Sequence, residues 1–418
     1  MGADQTPRHA PAEISADVSR LLLEALVGLL RQQDSDLRML ALVEAQAEEA
    51  DARTTRLVEE LAAQHPGARE TNLRRLVDET TDLYFERVAK ADDLESVVES
   101  VLEMAHTYDG ELPHGTDGAT LAATVLSACA DVSDSTRMYA TLLMGAMASF
   151  EGTLLRLVQV LAAADPTAAR TKGRERQGFG AAVVTLREHE HLFEAIYTAT
   201  RSARGGWRGW QRLFGWFGFA LPEASPLLEE ASRVRNAVAH TNGLVAHPED
   251  GAHSDSDVRL DSAAEITPEF LRDVLDAQLT AAAALGVTIL NRAFGDAELS
   301  SSYVLGRLDY ELLVRRRDSV IAGAQDLHDQ AISKDVDEER HLQVNFWLAL
   351  HRLGRQGKYM RELSRWGPEV DGTVLDAARA ILLSRPGKAK RIAQRLRTVG
   401  ALGEREWLTW PLIDEIRG

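Results

Sequence analysis

Between Met138 and Ala164 apolar side chains return every three or four positions, with no proline among them. Leu142, Leu143, Met147, Phe150, Leu154, Leu155, Val158 and Leu161 fall on one broad stripe. That period settles the backbone hydrogen bonds locally and leaves one face to bury, the condition of a helix packed on other helices. The same period runs through most of the chain. Leu21, Leu22, Leu26, Leu29 and Leu30 form a stripe beginning near Ile14, and Leu37, Leu40 and Leu42 carry apolar character past a polar patch. Only 12 prolines interrupt 418 residues, and Ala, Leu, Glu and Arg abound, so the fold class read from the sequence is all-α.

A chain of this length exceeds one simple core, and roughly two to four domains are expected. The N-terminal region, 1–132, holds helical patterns up to about 42, then over 50–63, 70–90, 92–106 and 118–130, with breaks at His65-Pro66-Gly67 and Tyr108 to Gly115. The middle region, 133–295, has helices over 138–164, 180–199 and about 225–240. Strand-like pieces at 244–247 and 258–260 follow, and then a helix over 268–292 that Thr267-Pro268-Glu269 would cap. The C-terminal region, 296–418, shows short helices over 302–315, 317–332, 338–353, 358–366, 371–384, 386–399 and 403–416. Two of its units, Phe346 to Tyr359 and Ala377 to Ala389, resemble degenerate helix–turn–helix repeats of the tetratricopeptide kind.

The net charge of −17 argues against an indiscriminate nucleic-acid coat. The charge is uneven: from Arg340 onward 15 Lys and Arg stand against 8 Asp and Glu, a net of +7 that leaves −24 on the rest. Acidic residues crowd 44–103, a solvated face or a cover for a basic cleft. Cys129 is the single cysteine, which excludes an intrachain disulfide and a cysteine-based zinc site. No run of 18 uncharged apolar residues and no signal-peptide pattern is found, so a cytoplasmic protein without a membrane span is expected.

Chemistry is concentrated in one place. Arg235-Asn236-Ala237-Val238-Ala239-His240 closes an amphipathic helix whose periodic positions are Leu227, Leu228, Ala231, Val234 and Val238, and Thr241-Asn242-Gly243 follows as a turn. Histidine exchanges protons near neutral pH, and arginine offers a fixed fork of donors to phosphate oxygens. Those two groups supply the proton transfer and charge neutralisation that metal-free RNA cleavage needs. Five residues at 3.6 per turn place Arg235 and His240 about 140° apart on an ideal helix. They converge on one phosphate if the helix frays before His240, or if two copies face each other across a dimer axis.

Arg-Asn-x-x-x-His followed by x-Asn-Gly, at the end of a helix in an all-helical domain, resembles the catalytic motif of the HEPN superfamily. The resemblance covers about residues 133–292. Members are helical bundles, usually dimeric, and many are metal-independent endoribonucleases of toxin–antitoxin, abortive-infection or anti-phage systems; others are non-catalytic. It implies that Arg235 binds and polarises the phosphate, that His240 transfers protons and that Asn236 orients one or the other. The family often carries an acidic residue on an earlier helix, and Glu151 matches it as a tether for Arg235 or His240. The implied products are a 2′,3′-cyclic phosphate and a 5′-hydroxyl. The implied partners are single-stranded or loop RNA, a second copy of the chain, and an antitoxin or defence-complex partner. No cofactor and no metal are implied. A plainer reading keeps the residues and drops the reaction: Arg235 pairs with Glu229, Glu230 or Glu151, His240 caps a helix end, and the chain is a helical scaffold or sensor.

Weaker signals accompany this one. Arg201, Arg204, Arg208 and Arg212, stepping three or four apart with Trp207 and Trp210 between them, would form a basic track with stacking rings if helical. The Gly205-Gly206 pair favours a loop instead. His189 and His191 stand two residues apart, which on a helix points them away from each other and not at one metal. Arg385, Lys388, Lys390, Arg391, Arg395 and Arg397 make a basic C-terminal helix region, either a solvated surface or a docking site for a guide RNA, a tRNA or a partner.

Overall fold

A computed structural model describes residues 12–65, 68–89, 94–108, 118–129, 135–164, 206–215, 217–219, 226–241, 244–246, 260–263, 266–293, 300–367 and 370–417. Among these residues the protein is helical throughout, apart from one two-stranded ladder between Leu244–Ala246 (β1) and Leu260–Ala263 (β2). The helices form two compact units. One comprises residues 35–144 and 263–271; the other comprises 1–34, 145–262 and 272–418.

In the first of these units, the later part of α1 (Ala12–Gln64) packs with α2 (Glu70–Ala89), α3 (Leu94–His106) and α4 (Gly118–Cys129). Val58, Leu61, Leu73, Leu76, Val77, Val101, Leu121 and Val125 make its core. Tyr108 closes it: Arg75 Nε donates to the phenol oxygen at 2.9 Å, and the guanidinium lies over the ring. The Thr267 hydroxyl accepts the Phe270 N–H at 3.1 Å, the cap that the sequence signals for α8 (Pro268–Ala293).

The larger unit is built on the beginning of α1, on α5 (Ser135–Ala164) from Gly145 onward, and on α6 (Gly206–Gly215), α7 (Pro226–Thr241) and most of α8. It continues through α9 (Ser301–Val314), α10 (Asp318–Gly323), α11 (Gln325–Gln330), α12 (Val336–Arg352), a 3-10 turn at Gln356–Lys358, and α13 (Met360–Leu363). The last four helices are α14 (Val374–Leu382), α15 (Pro386–Thr398), α16 (Glu404–Thr409) and α17 (Pro411–Arg417). Met138–Leu161 and Pro268–Arg292 are long and apolar enough by composition to cross a membrane, a looser test than an uncharged run of 18. Leu154, Leu157, Val158 and Leu161 of the one and Leu279, Leu285, Ile289 and Leu290 of the other are buried in this unit's core.

Several boundaries differ from the expectation for physical reasons. The sequence suggests a break after about 42 and a new helix at 50; the chain instead runs as one helix over Ala12–Gln64. The polar patch ahead of Leu37 does not interrupt it, and Gln33, buried within that patch, is satisfied. Gln33 Nε2 donates to Leu275 O at 2.8 Å, and its oxygen accepts Arg317 Nη1 at 2.8 Å. The segment 317–332 divides into two helices, at Ala324. The segment 403–416 divides at Trp410, because Pro411 has no N–H to continue α16 and opens α17 instead.

Three consecutive arginines tie this unit together. Arg315 pairs with Asp34 of α1 and with Glu311, Arg316 reaches Glu415 of α17 at 3.7 Å, and Arg317 pairs with Asp276 of α8. To aim three neighbours at three elements, the backbone turns left-handed at Arg316, with φ of 59°, at a cost of about 1 kcal/mol for a residue with a Cβ.

Helix α8 meets α1 at Gly286. A Cβ there would stand 3.0 Å from Leu22 Cδ2 and 3.2 Å from Leu26 Cδ1. Gly286→Val should therefore overpack the contact and destabilise the unit by about 1–3 kcal/mol, with Gly286→Ala well below it. Urea unfolding followed by far-ultraviolet circular dichroism measures both. Equal midpoints for the wild type and the valine variant would show that the contact is loose.

Candidate functional site

Helix α7 buries Leu228, Ala231 and Val234 and turns its remaining surface outward. Asn236 is exposed, and Arg235 sits at the edge of the buried stripe. Its Nη2 donates to Glu151 Oε1 of α5 at 2.9 Å, with 21% of the arginine side chain and 31% of the glutamate exposed. Burial of this kind makes the pair more than a surface contact. Arg235 Nε is buried with no hydrogen-bond acceptor. Two residues earlier Arg233 Nε donates to Glu230 Oε2 at 3.0 Å, so the two arginines have separate carboxylates.

The backbone is helical through Thr241. There is accordingly no fraying ahead of His240, and the 140° separation of an ideal helix holds between Cα positions. The His240 side chain, Asn242 and Gly243 lie outside the described residues.

The basic track is only partly described. Arg201, Arg204 and the His189–His191 pair lie outside the described residues, as does the Arg208 side chain. The segment from Gly206 is a helix, not the loop that the glycine pair suggests, and Arg212 is exposed on it. Trp207 is 5% exposed and stacks on Phe150 with centroids 6.1 Å apart, so that ring is a core residue. Trp210 packs partly buried against the same core. The strand-like pieces are present as β1 and β2. Among the described residues no three or more His, Cys, Asp or Glu side chains are grouped to hold a metal ion.

No protein-family model, curated protein or solved structure matches the chain. Its chemistry is therefore carried by its own geometry.

Two further arrangements were not singled out by sequence. The first is a groove of 960 Å³ between the N-terminal halves of α9 and α12, the start of α14 and the α16–α17 junction. Tyr303, Arg307, Tyr310, Arg340, His341 and Trp410 are among its lining residues. Arg307 lies over the Tyr310 ring at 5.3 Å, and the Tyr310 hydroxyl donates to Thr409 O at 2.9 Å, which fixes that wall.

The second is a pair of buried charges. His328 Nε2 meets Asp309 Oδ2 at 2.8 Å, and its Nδ1 meets Ala324 O at 2.8 Å. Both ring nitrogens face oxygens, an arrangement that favours the doubly protonated ring. Burial works to lower the His328 pKa, but the Asp309 carboxylate and the Ala324 carbonyl outweigh it and leave it raised. Arg352 occupies the other position. Nε donates to Glu415 at 2.8 Å, Nη1 to Leu313 O at 2.9 Å and Nη2 to Pro411 O at 3.1 Å, with Asp318 at 3.3 Å. Burial raises the Asp318 pKa even with Arg352 beside it. The partners of Arg352 and His328 lie 19 to 63 positions away apart from a single backbone carbonyl, beyond any local pattern.

Proposed function

We propose that this chain is a non-catalytic helical interaction module, a scaffold or sensor within a defence or regulatory complex. The observation that carries this reading is a helix unbroken to Thr241, which keeps positions 235 and 240 about 140° apart. Within one chain the two positions then do not share a helix face. The helical hairpins of the C-terminal region, read as degenerate repeats of the tetratricopeptide kind, serve such a module by presenting the groove beside Tyr303, Tyr310 and Trp410.

A second reading keeps the reaction. In it, residues 133–295 are a HEPN-like bundle acting as a metal-independent endoribonuclease, a toxin or anti-phage effector in the cytoplasm. Glu151 holds Arg235 in place until RNA arrives, and the second copy in a homodimer supplies the facing histidine. An acidic side chain from an earlier helix on the motif arginine is the observation that favours it. An antitoxin or defence partner would restrain such an enzyme.

The two readings separate in one assay. Purified full-length protein is incubated with total RNA and with a labelled oligoribonucleotide in EDTA, and the RNA is run on a denaturing gel. The interaction module leaves RNA intact, in the wild type and in Arg235→Ala and His240→Ala alike. EDTA-resistant cleavage that disappears in both variants would overturn the first reading and carry the second.

A further inference from the structure

Helix α15 packs through Ala389, Ala393 and Leu396, with Ile392 partly buried beside them. Its outward surface has an order that the count of charges conceals. At 100° per residue, Lys388, Arg391 and Arg395 form one row along a flank of the buried stripe, and Lys390 and Arg397 form a second row along the other. Gln394 and Thr398 lie between the rows, furthest from the core. All seven side chains are exposed. No acidic residue occurs between Asp376 and Glu404, although the chain as a whole carries −17. Lys388, half-exposed, approaches the buried Asp376 at 3.5 Å, and Arg397, half-exposed, approaches the exposed Glu404 at 3.5 Å, both long contacts. Among the described residues Lys390, Arg391 and Arg395 have no acidic partner.

We propose that this face of α15 is a docking ridge for a single strand of RNA. Its rows of cations take the phosphates of a strand laid along the helix, and guanidinium forks such as those of Arg391 and Arg395 match phosphate oxygens. The strip between the rows is uncharged and hydrogen-bonding. The Gln394 carboxamide, both donor and acceptor, is exposed on that strip and can pair with a 2′-hydroxyl, the group that distinguishes RNA from DNA. The alternatives fit less well. A protein interface has an apolar centre and little lysine, and this face has no apolar centre. A membrane-surface helix inserts an apolar face, and the apolar residues of α15 are spent on the core. Nucleic-acid surfaces are polar and rich in positive charge. The ridge stands independently of either reading of Arg235 and His240.

The test is fluorescence anisotropy with full-length protein and a labelled 20-nucleotide single-stranded RNA, with the RNA checked on a gel afterwards so that binding and cleavage are separate. The triple reversal K390E/R391E/R395E should weaken binding at least tenfold. It should also flatten the dependence of log affinity on log salt by about 2, from roughly 0.7 per lost phosphate contact. R31E/R38E/R56E, which changes net charge equally at exposed sites on α1, should bind within threefold of the wild type. DNA of the same sequence should bind several-fold more weakly than RNA, and Gln394→Ala should erase that difference. Wild-type affinity in the triple reversal, or an equal loss in the α1 control, would overturn the ridge. Equal affinity for DNA, or displacement of RNA by polyglutamate of matched charge, would overturn RNA as its occupant.

Discussion

Arg352→Met should free the C-terminal helices from the rest of their unit. The side chain is 6% exposed and holds the end of α9 and the start of α17 through two carbonyls, and two carboxylates besides. A methionine fills the volume but leaves Asp318 without its paired cation and Glu415 with only the longer contact to Arg316. Breaking a buried pair from one side costs about 3–5 kcal/mol. That is enough to raise amide hydrogen exchange in α16 and α17 by about a hundredfold or more. Exchange followed by mass spectrometry should show the rise over 404–417 and little change in α2 to α4, whose core is separate. Unchanged protection at 404–417 would mean that apolar contacts of Leu412, Ile413 and Ile416 alone hold α17.

Asp309→Ala should be comparably costly, with a pH signature of its own. In the wild type the imidazolium of His328 is paired inside the core, with 7% of its side chain and 2% of that of Asp309 exposed. The folded-state pKa of His328 is raised above the ordinary 6.5. Its contribution to stability is therefore complete below that value and is lost as pH rises through the folded one. Removing Asp309 strands a buried cation, at a cost of about 3–5 kcal/mol near pH 6. It also removes the alkaline decline, because no group is left to hold the second proton. Chemical unfolding at several pH values from 6 to 9 measures both effects. Parallel curves for wild type and variant would show that His328 is neutral throughout.

These two positions mark where sequence legibility ends. The all-helical class was readable from apolar spacing, and the start of α8 from Thr267-Pro268-Glu269, because both are local. The Arg235 motif was readable as chemistry, and its contact with Glu151 was among three pairings open to it. Choosing among the three needs the packing of α7 on α5, which no spacing rule supplies. The single helix over Ala12–Gln64 was hidden by the stretch after Leu42, where acidic residues and alanines thin the apolar stripe. Arg352 was hidden in a run of surface-like charge. The groove beside Tyr310 is made by elements up to a hundred residues apart, so its parts carry no mark of membership.

The left-handed turn at Arg316 has a consequence for how the larger unit comes apart. Its three guanidiniums clasp stretches of chain that are remote in sequence, and all three depend on one backbone conformation. If that conformation flips, the beginning of α1, the middle of α8 and the final helix lose their anchors together. Peeling at one edge is thereby discouraged, and a body threaded from three discontinuous pieces of polypeptide melts as one.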